Sequence, residues 1–310
     1  MNDENDKLKA LMGAKRFDVE HALAMYALSF FHFPAKQLYD SDLLKRLGER
    51  VQNSHIYLVG FVPRIDLVGV RQNGRKLLVE FKRNGAALEV ELPLPEGLEL
   101  DYVEETWHLT DEEGNRFAPT DEQLMQALTL QHGIPEFEVV YVGRAYGKGG
   151  SRSAIDRLRK HETLQKIALT GVPDGYRLEL LLLEIEPATT MFTVLNPWAK
   201  DSSAGQDRIG QGLDKLFGTS EHERITLYEA SLIRHFRPPY NTEFKNSFPS
   251  TNLKVLADCY DKDFAAVVAE ICFDVPPFQL FSESAPVQRD IVIRHDLHND
   301  EDRKIFFSKG

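Results

Sequence analysis

Cysteine is nearly missing from this chain of 310 residues: Cys259 and Cys272 are its only two. Two such residues supply neither a disulfide framework nor a zinc ligand set, and their scarcity fits a reducing compartment. Long apolar runs are missing too. No stretch approaches the roughly 18 apolar residues that a membrane-spanning helix needs. The opening MNDENDKLKALMGAKRF has no apolar core of a secretion signal. The expectation is a cytoplasmic protein with no membrane partner. Basic charge is also in deficit, with 37 Lys and Arg against 48 Asp and Glu, a net −11. That balance argues against a general nucleic-acid coat protein. Apolar content is ordinary, so a real core is expected. The length allows two domains or one large decorated one.

What is present is organised around FEVVYVGRAYGKGGSRSAIDRLRKHETLQK, from Phe137 to Lys166. Phe137, Val139, Val140, Tyr141 and Val142 are β-branched or aromatic and read as a strand. Gly143, Gly147, Gly149 and Gly150 read as a turn. A helix is predicted from Ser153, as N-cap, to about Leu169, ahead of Gly171 and Pro173. Its apolar stripe is Ala154, Leu158, Leu164 and Ala168, and Arg157 and His161 fall inside it. A second helix, Ile225 to Phe236, carries Glu229 near the centre of its apolar stripe, and Pro238 and Pro239 end it. A buried guanidinium or carboxylate needs a partner. Arg157 and Glu229 either pair with each other, or they converge with His161 on a phosphate and a metal ion.

The charge distribution allows the second case. Residues 144 to 166 hold seven Lys and Arg against Asp156 and Glu162, a basic patch on an acidic body. Such a patch permits local phosphate contact that is steeply salt-dependent. Gly143-x-x-x-Gly147-Lys148 is one residue short of a Walker A spacing and lacks the Ser or Thr that follows, so an NTPase loop is rejected. Glycines there still let backbone N–H groups approach a phosphate.

Tyr141-Val142-Gly143, then Arg157 to His161, then Glu229-Ala-Ser-Leu-Ile-Arg-His-Phe-Arg-Pro-Pro-Tyr-Asn241 resembles the GIY-YIG endonuclease superfamily. The last segment is most similar to the N-terminal nuclease domain of UvrC-type excision-repair enzymes. The resemblance covers about Phe137 to Phe248. It implies an α+β nuclease domain with a small antiparallel sheet flanked by helices. It implies a metal-dependent endonuclease that hydrolyses phosphodiester bonds of DNA, in restriction, phage defence or mobile-element work. Glu229 would hold one divalent ion, Mg or Mn, and Arg157 would grip the scissile phosphate. Tyr141 is the candidate general base. His161 would orient it or share the proton transfer, and Asn241 would fix Tyr141 and water. Arg144, Lys148, Arg152 and Lys160 would follow the nucleic-acid backbone. The family's opening Gly-Ile-Tyr strand is not where it is usually found. Gly133-Ile134-Pro135 stands there without a tyrosine. Either that strand lies upstream of an insertion, where Tyr57 and Tyr102 are the two tyrosines on offer, or the tyrosine is lost. The alternative function is a degenerate module that binds nucleic acid or protein without cleaving.

Elsewhere, Phe17 to Phe31 reads as a helix, and Ser41 as the cap of another. Ile56 to about Pro95 reads as a β-meander, with Asn73-Gly74 and Asn84-Gly85 as hairpin turns. Thr120 with Gln123 forms a capping-box start. Tyr176 to Glu186 is a strand able to pair with the Phe137 strand. Residues 187–224 are an insertion, with Asp201 to Gly212 a Gly/Ser-rich loop. His295, His298 and Asp300 read as a solvated cluster rather than a metal site. Three segments result: 1–125, of helices and meander, open to a partner protein or a second copy; 126–250, nuclease-like; and 251–310, packing on it.

Overall fold

The computed structural model describes residues 2–48, 53–104, 106–145, 154–188, 190–249 and 254–305. It is a mixed α/β molecule built on one large, nearly closed sheet. In chain order, helix α1 (Asn2–Gly13) leads into β1 (Val19–Pro34), α2 (Ser41–Leu47) and β2 (Ile56–Pro63). An inserted region follows: β3 (Ile65–Asn73), β4 (Lys76–Arg83), β5 (Ala86–Pro93), β6 (Glu99–Val103), β7 (Thr106–Thr110), β8 (Arg116–Phe117) and α3 (Asp121–His132). Next come β9 (Glu136–Arg144), α4 (Ala154–Arg159), α5 (Glu162–Thr170), β10 (Tyr176–Ile185) and β11 (Thr190–Leu195). The chain ends with α6 (Gly205–Gly218), α7 (Glu221–Phe236), α8 (Lys254–Asp261), β12 (Ala266–Ile271), β13 (Gln279–Ser282), β14 (Ala285–Gln288) and β15 (Ile291–Asp296).

The large sheet has nine strands in the order β14-β13-β9-β2-β10-β1-β12-β15, with β11 also on β1. It is larger than the expected small sheet, and segments 1–125, 126–250 and 251–310 each contribute strands to it. Two three-stranded sheets, β3-β4-β5 and β6-β7-β8, stand apart. One face of the large sheet packs Leu58, Val142 and Leu181 against α7, whose residues from Arg224 to Phe236 are nearly all buried. The other face packs Val59, Val140 and Leu182 against Ile155, Leu158, Leu164 and Ile167 of α4 and α5.

Several expectations change. Phe17 to Phe31 is not a helix; all but its first two residues belong to the strand β1. It lies inside the sheet, and from Val19 to Met25 it is buried on both faces, so its apolar residues run on without the alternation that marks a strand. Ile56 to Pro63 is no arm of the meander but a fully buried core strand. β10 pairs with β2 and β1 rather than with β9, because β2 lies between them. The helix expected after Ser41 is capped instead by Asp40, whose Oδ1 accepts from Asp42 and Leu43 N–H. The single helix expected from Ser153 to Leu169 is broken, since His161 Nδ1 accepts the Leu164 N–H at 3.2 Å and starts a new helix. Asp201 to Gly212 is not a loop throughout, as α6 begins at Gly205. Two of its three glycines serve close approach: a Cβ on Gly205 or Gly212 would meet Asp18 or His21 within 3 Å. The meander turns and the Thr120–Gln123 capping box form as expected.

Candidate active site

The site is assembled from two antiparallel strands. Tyr57 of β2 pairs with Gly143 of β9, and Val59 pairs with Tyr141. This register sets Tyr57 and Tyr141 diagonally on one face. Their rings stack with centroids 6.2 Å apart. Gly143 is required there, because a Cβ on it would lie 2.5 Å from the Tyr57 ring. Of the two upstream tyrosines, Tyr57 is the one that lies beside Tyr141. The inserted strands and α3 separate it from Tyr141 in sequence and leave the two adjacent in space. Tyr102 is exposed on β6, in a separate sheet.

His161 completes an aromatic triangle, 4.9 Å from Tyr141 and 6.0 Å from Tyr57 between ring centroids. Its Nδ1 is committed as an acceptor to the Leu164 N–H. Burial and the Arg157 charge hold its pKa below the ordinary histidine value. The neutral ring therefore carries its proton on Nε2. In that state His161 can donate a hydrogen bond but has no free nitrogen to accept a proton.

Arg157 differs from its expected orientation. It is exposed rather than set on the buried stripe, since α4 buries Ile155 and Leu158 instead. Its charge still favours the ionised forms of Tyr57, Tyr141 and Glu229. Glu229 is buried on α7, as the apolar stripe implied. Among the described residues the cation within ion-pair reach of it is not Arg157 but Arg144, whose Nε lies 3.2 Å from Oε2. Arg144 also bonds Thr226 Oγ1, one turn earlier on α7. Burial raises the Glu229 pKa to about 7 against the opposing pull of Arg144 and Arg157, and exposed Glu243 adds to the rise.

Burial likewise raises both tyrosines above their ordinary pKa, Tyr57 the more strongly. The Tyr57 hydroxyl is fully buried and makes no hydrogen bond of good geometry, although Arg157 and Tyr141 are near. A buried hydroxyl without a partner costs on the order of 1–3 kcal/mol. Asn241 acts on β9 directly: its Oδ1 accepts from Val142 N–H at 2.9 Å, and its Nδ2 donates to Val142 O at 2.8 Å. Tyr240 N–H donates to Val140 O. The Pro-Pro-Tyr-Asn turn thus clamps the strand on both sides of Tyr141, and the Asn241 amide positions Tyr141 through its backbone.

Of the residues expected to follow nucleic acid, Arg144 turns inward to Glu229. Lys160 is exposed where α4 meets α5, and Lys148 and Arg152 lie outside the described residues. Glu243, two residues after Asn241 and marked by no motif, adds a second negative charge that acts on Glu229 and Tyr141. Among the described residues no group of three or more His, Cys, Asp or Glu side chains is arranged to hold a metal, the His295, His298 and Asp300 cluster included. A single buried carboxylate fits the manner in which Mg²⁺ binds, through one or two carboxylates with water and substrate phosphate in the other positions.

Comparison with family models, with curated proteins and with solved structures finds no match to this chain. No helix among the described residues is long and apolar enough to cross a membrane.

Proposed function

We propose that this protein is a divalent-metal-dependent endonuclease that hydrolyses phosphodiester bonds of DNA through a GIY-YIG-like site. The observation that carries the reading is the Tyr57–Tyr141 pair over Gly143, with His161 against both rings. In this reading Tyr57, beside Tyr141 on the neighbouring strand, takes the part of the first-strand tyrosine, which supports cleavage over a degenerate module.

In this reading Arg157, exposed beside the tyrosines, grips the scissile phosphate by its planar fork. Tyr141, half-buried, aligns the attacking water and, as phenolate, takes its proton while the bond from phosphorus to the leaving oxygen breaks. Burial opposes the phenolate, and the positive charge of Arg157 favours it. His161 donates from Nε2 to the tyrosine or to a phosphate oxygen. Glu229 would hold a Mg²⁺ or Mn²⁺ ion, which supplies Lewis-acid stabilisation of the charge that grows on the phosphate. The chain's own contribution is a pre-positioned frame, with Asn241 fixing β9 and Gly143 leaving room for Tyr57.

The test is cleavage of plasmid DNA, and of RNA in parallel, with Mg²⁺ and with chelator, for wild type, Glu229→Ala and Arg157→Ala. Metal-dependent cutting by wild type alone supports the reading. Equal, intact substrate in every lane ends it. The Arg144–Glu229 ion pair favours the second reading, a module that binds without cutting, because a carboxylate already neutralised is a weaker metal ligand. Calorimetry with Mn²⁺ separates the two: the nuclease binds the ion and Glu229→Gln does not, whereas the binding module takes up none.

A further inference from the structure

Helix α6 is built inside out. The residues it buries are Gly205, Arg208, Gly212 and Lys215, while Ile209, Leu213 and Phe217 are exposed, Phe217 at 83%. Its polar face is firmly anchored. Arg208 bonds Glu20 at 2.8 Å and Val19 O at 2.7 Å, and also meets Asp263. Lys215 meets Asp258 at 2.6 Å. An amphipathic helix ordinarily turns its apolar stripe to the core. Here that stripe, four residues apart and free of charge, is only partly covered: Ile209 and Leu213 are 41% and 43% exposed, and Phe217 stands almost fully open.

The direction of the stripe is fixed by its neighbours. Gly212 rests on His21 of β1 and Met191 of β11, so α6 lies over the line between those strands. Arg208 and Lys215 turn toward Asp263 and α8, on the side of β1 that carries β12. The apolar stripe therefore faces the opposite way, over β11. That strand pairs with β1 alone among the described strands, so its far edge is free. Its sequence TMFTVL holds no charge and no proline, and Leu195 is 66% exposed. Natural edge strands usually carry such guards against pairing.

We infer that this face joins two copies of the chain, β11 pairing antiparallel with β11 across a two-fold axis while the two α6 stripes pack together above. Spacing supports a second copy as the occupant. Strands lie about 4.8 Å apart in a sheet, so two helices each seated over a β1–β11 line would stand about 9–10 Å apart. That is the usual packing distance of two helices. The arrangement is isologous and closes, as a dimer must. It is independent of the nuclease reading and lies in the 187–224 insertion rather than in the segment 1–125 expected to make such contacts.

Sedimentation velocity at micromolar concentration tests it. Wild type is expected at twice the 35.4 kDa chain mass, and Leu195→Lys and Leu213→Lys each at the single mass. Both positions are exposed, so circular dichroism should report unchanged folds. Leu130→Lys, on exposed α3 surface in the other insertion, should remain dimeric. A monomeric wild type overturns the inference, whatever else the face binds. Dimers that survive both β11 and α6 substitutions overturn it as well.

Discussion

Tyr57 stands directly across the β2–β9 ladder from Gly143, and its ring covers the space that any side chain there would need. Gly143→Ala should displace the ring. The expected cost is about 1–3 kcal/mol of stability, as for other overpacked sites, together with loss of cleavage. Urea denaturation and plasmid nicking, measured on the same sample, check it. An alanine variant of full stability would show that the ring can move aside freely.

Tyr57→Phe should separate stability from activity. The hydroxyl is buried and makes no hydrogen bond of good geometry, so removing it should leave stability unchanged or raise it by about 1 kcal/mol. The same change should lower cleavage by at least tenfold if that hydroxyl awaits substrate, water or Tyr141. Thermal denaturation paired with a nicking rate reads both. A destabilised variant would mean that the hydroxyl has a structural partner.

Glu229 should imprint a pH dependence on folding. Its pKa rises from 4.5 to about 7 on folding, chiefly by burial. The folded state then binds more protons than the unfolded one, and stability falls as pH rises through that interval. The contribution is complete below pH 4.5 and is lost as pH passes about 7, a swing on the order of 3 kcal/mol. Glu229→Gln should flatten that slope in urea melts taken at several pH values. A wild type and variant with parallel curves would contradict it. Mn²⁺ that binds the carboxylate should release protons and restore wild-type stability at the upper end.

His161 serves two tasks that substitutions can divide. Asparagine also caps helices, so His161→Asn should keep α5 intact while removing the Nε2 donor. His161→Ala should cost about 1 kcal/mol more than asparagine. Both variants should cut poorly, and neither should shift the acid limb of the pH–rate profile, because the neutral ring has no free acceptor nitrogen. A change in that limb would assign His161 a proton-transfer role.

Parts of this site are legible in the residues themselves. The apolar stripe of Ile225 to Phe236 announces a buried Glu229, and the pattern holds because a long helix records its own burial every three to four residues. Asn241 is marked by the prolines before it. Arg157 was harder to read. Its helix stops after Arg159, and with so few residues the phase of the stripe is poorly determined. The pairing of Glu229 with Arg144 was invisible, because it joins the end of a strand to a helix far along the chain.

Local chemistry in the sequence settled the hairpin turns at Asn73-Gly74 and Asn84-Gly85, the Thr120–Gln123 cap and the inward face of α7. Each of these depends on residues a few positions apart, where backbone geometry leaves few choices. Only the tertiary structure decided that Phe17 to Phe31 is not a helix but, past its first two residues, a strand, that Tyr57 belongs beside Tyr141 and that α6 turns its charges inward. Those outcomes depend on which distant surfaces meet, and a strand pair or a buried ion pair is stabilised by partners that the local pattern does not name.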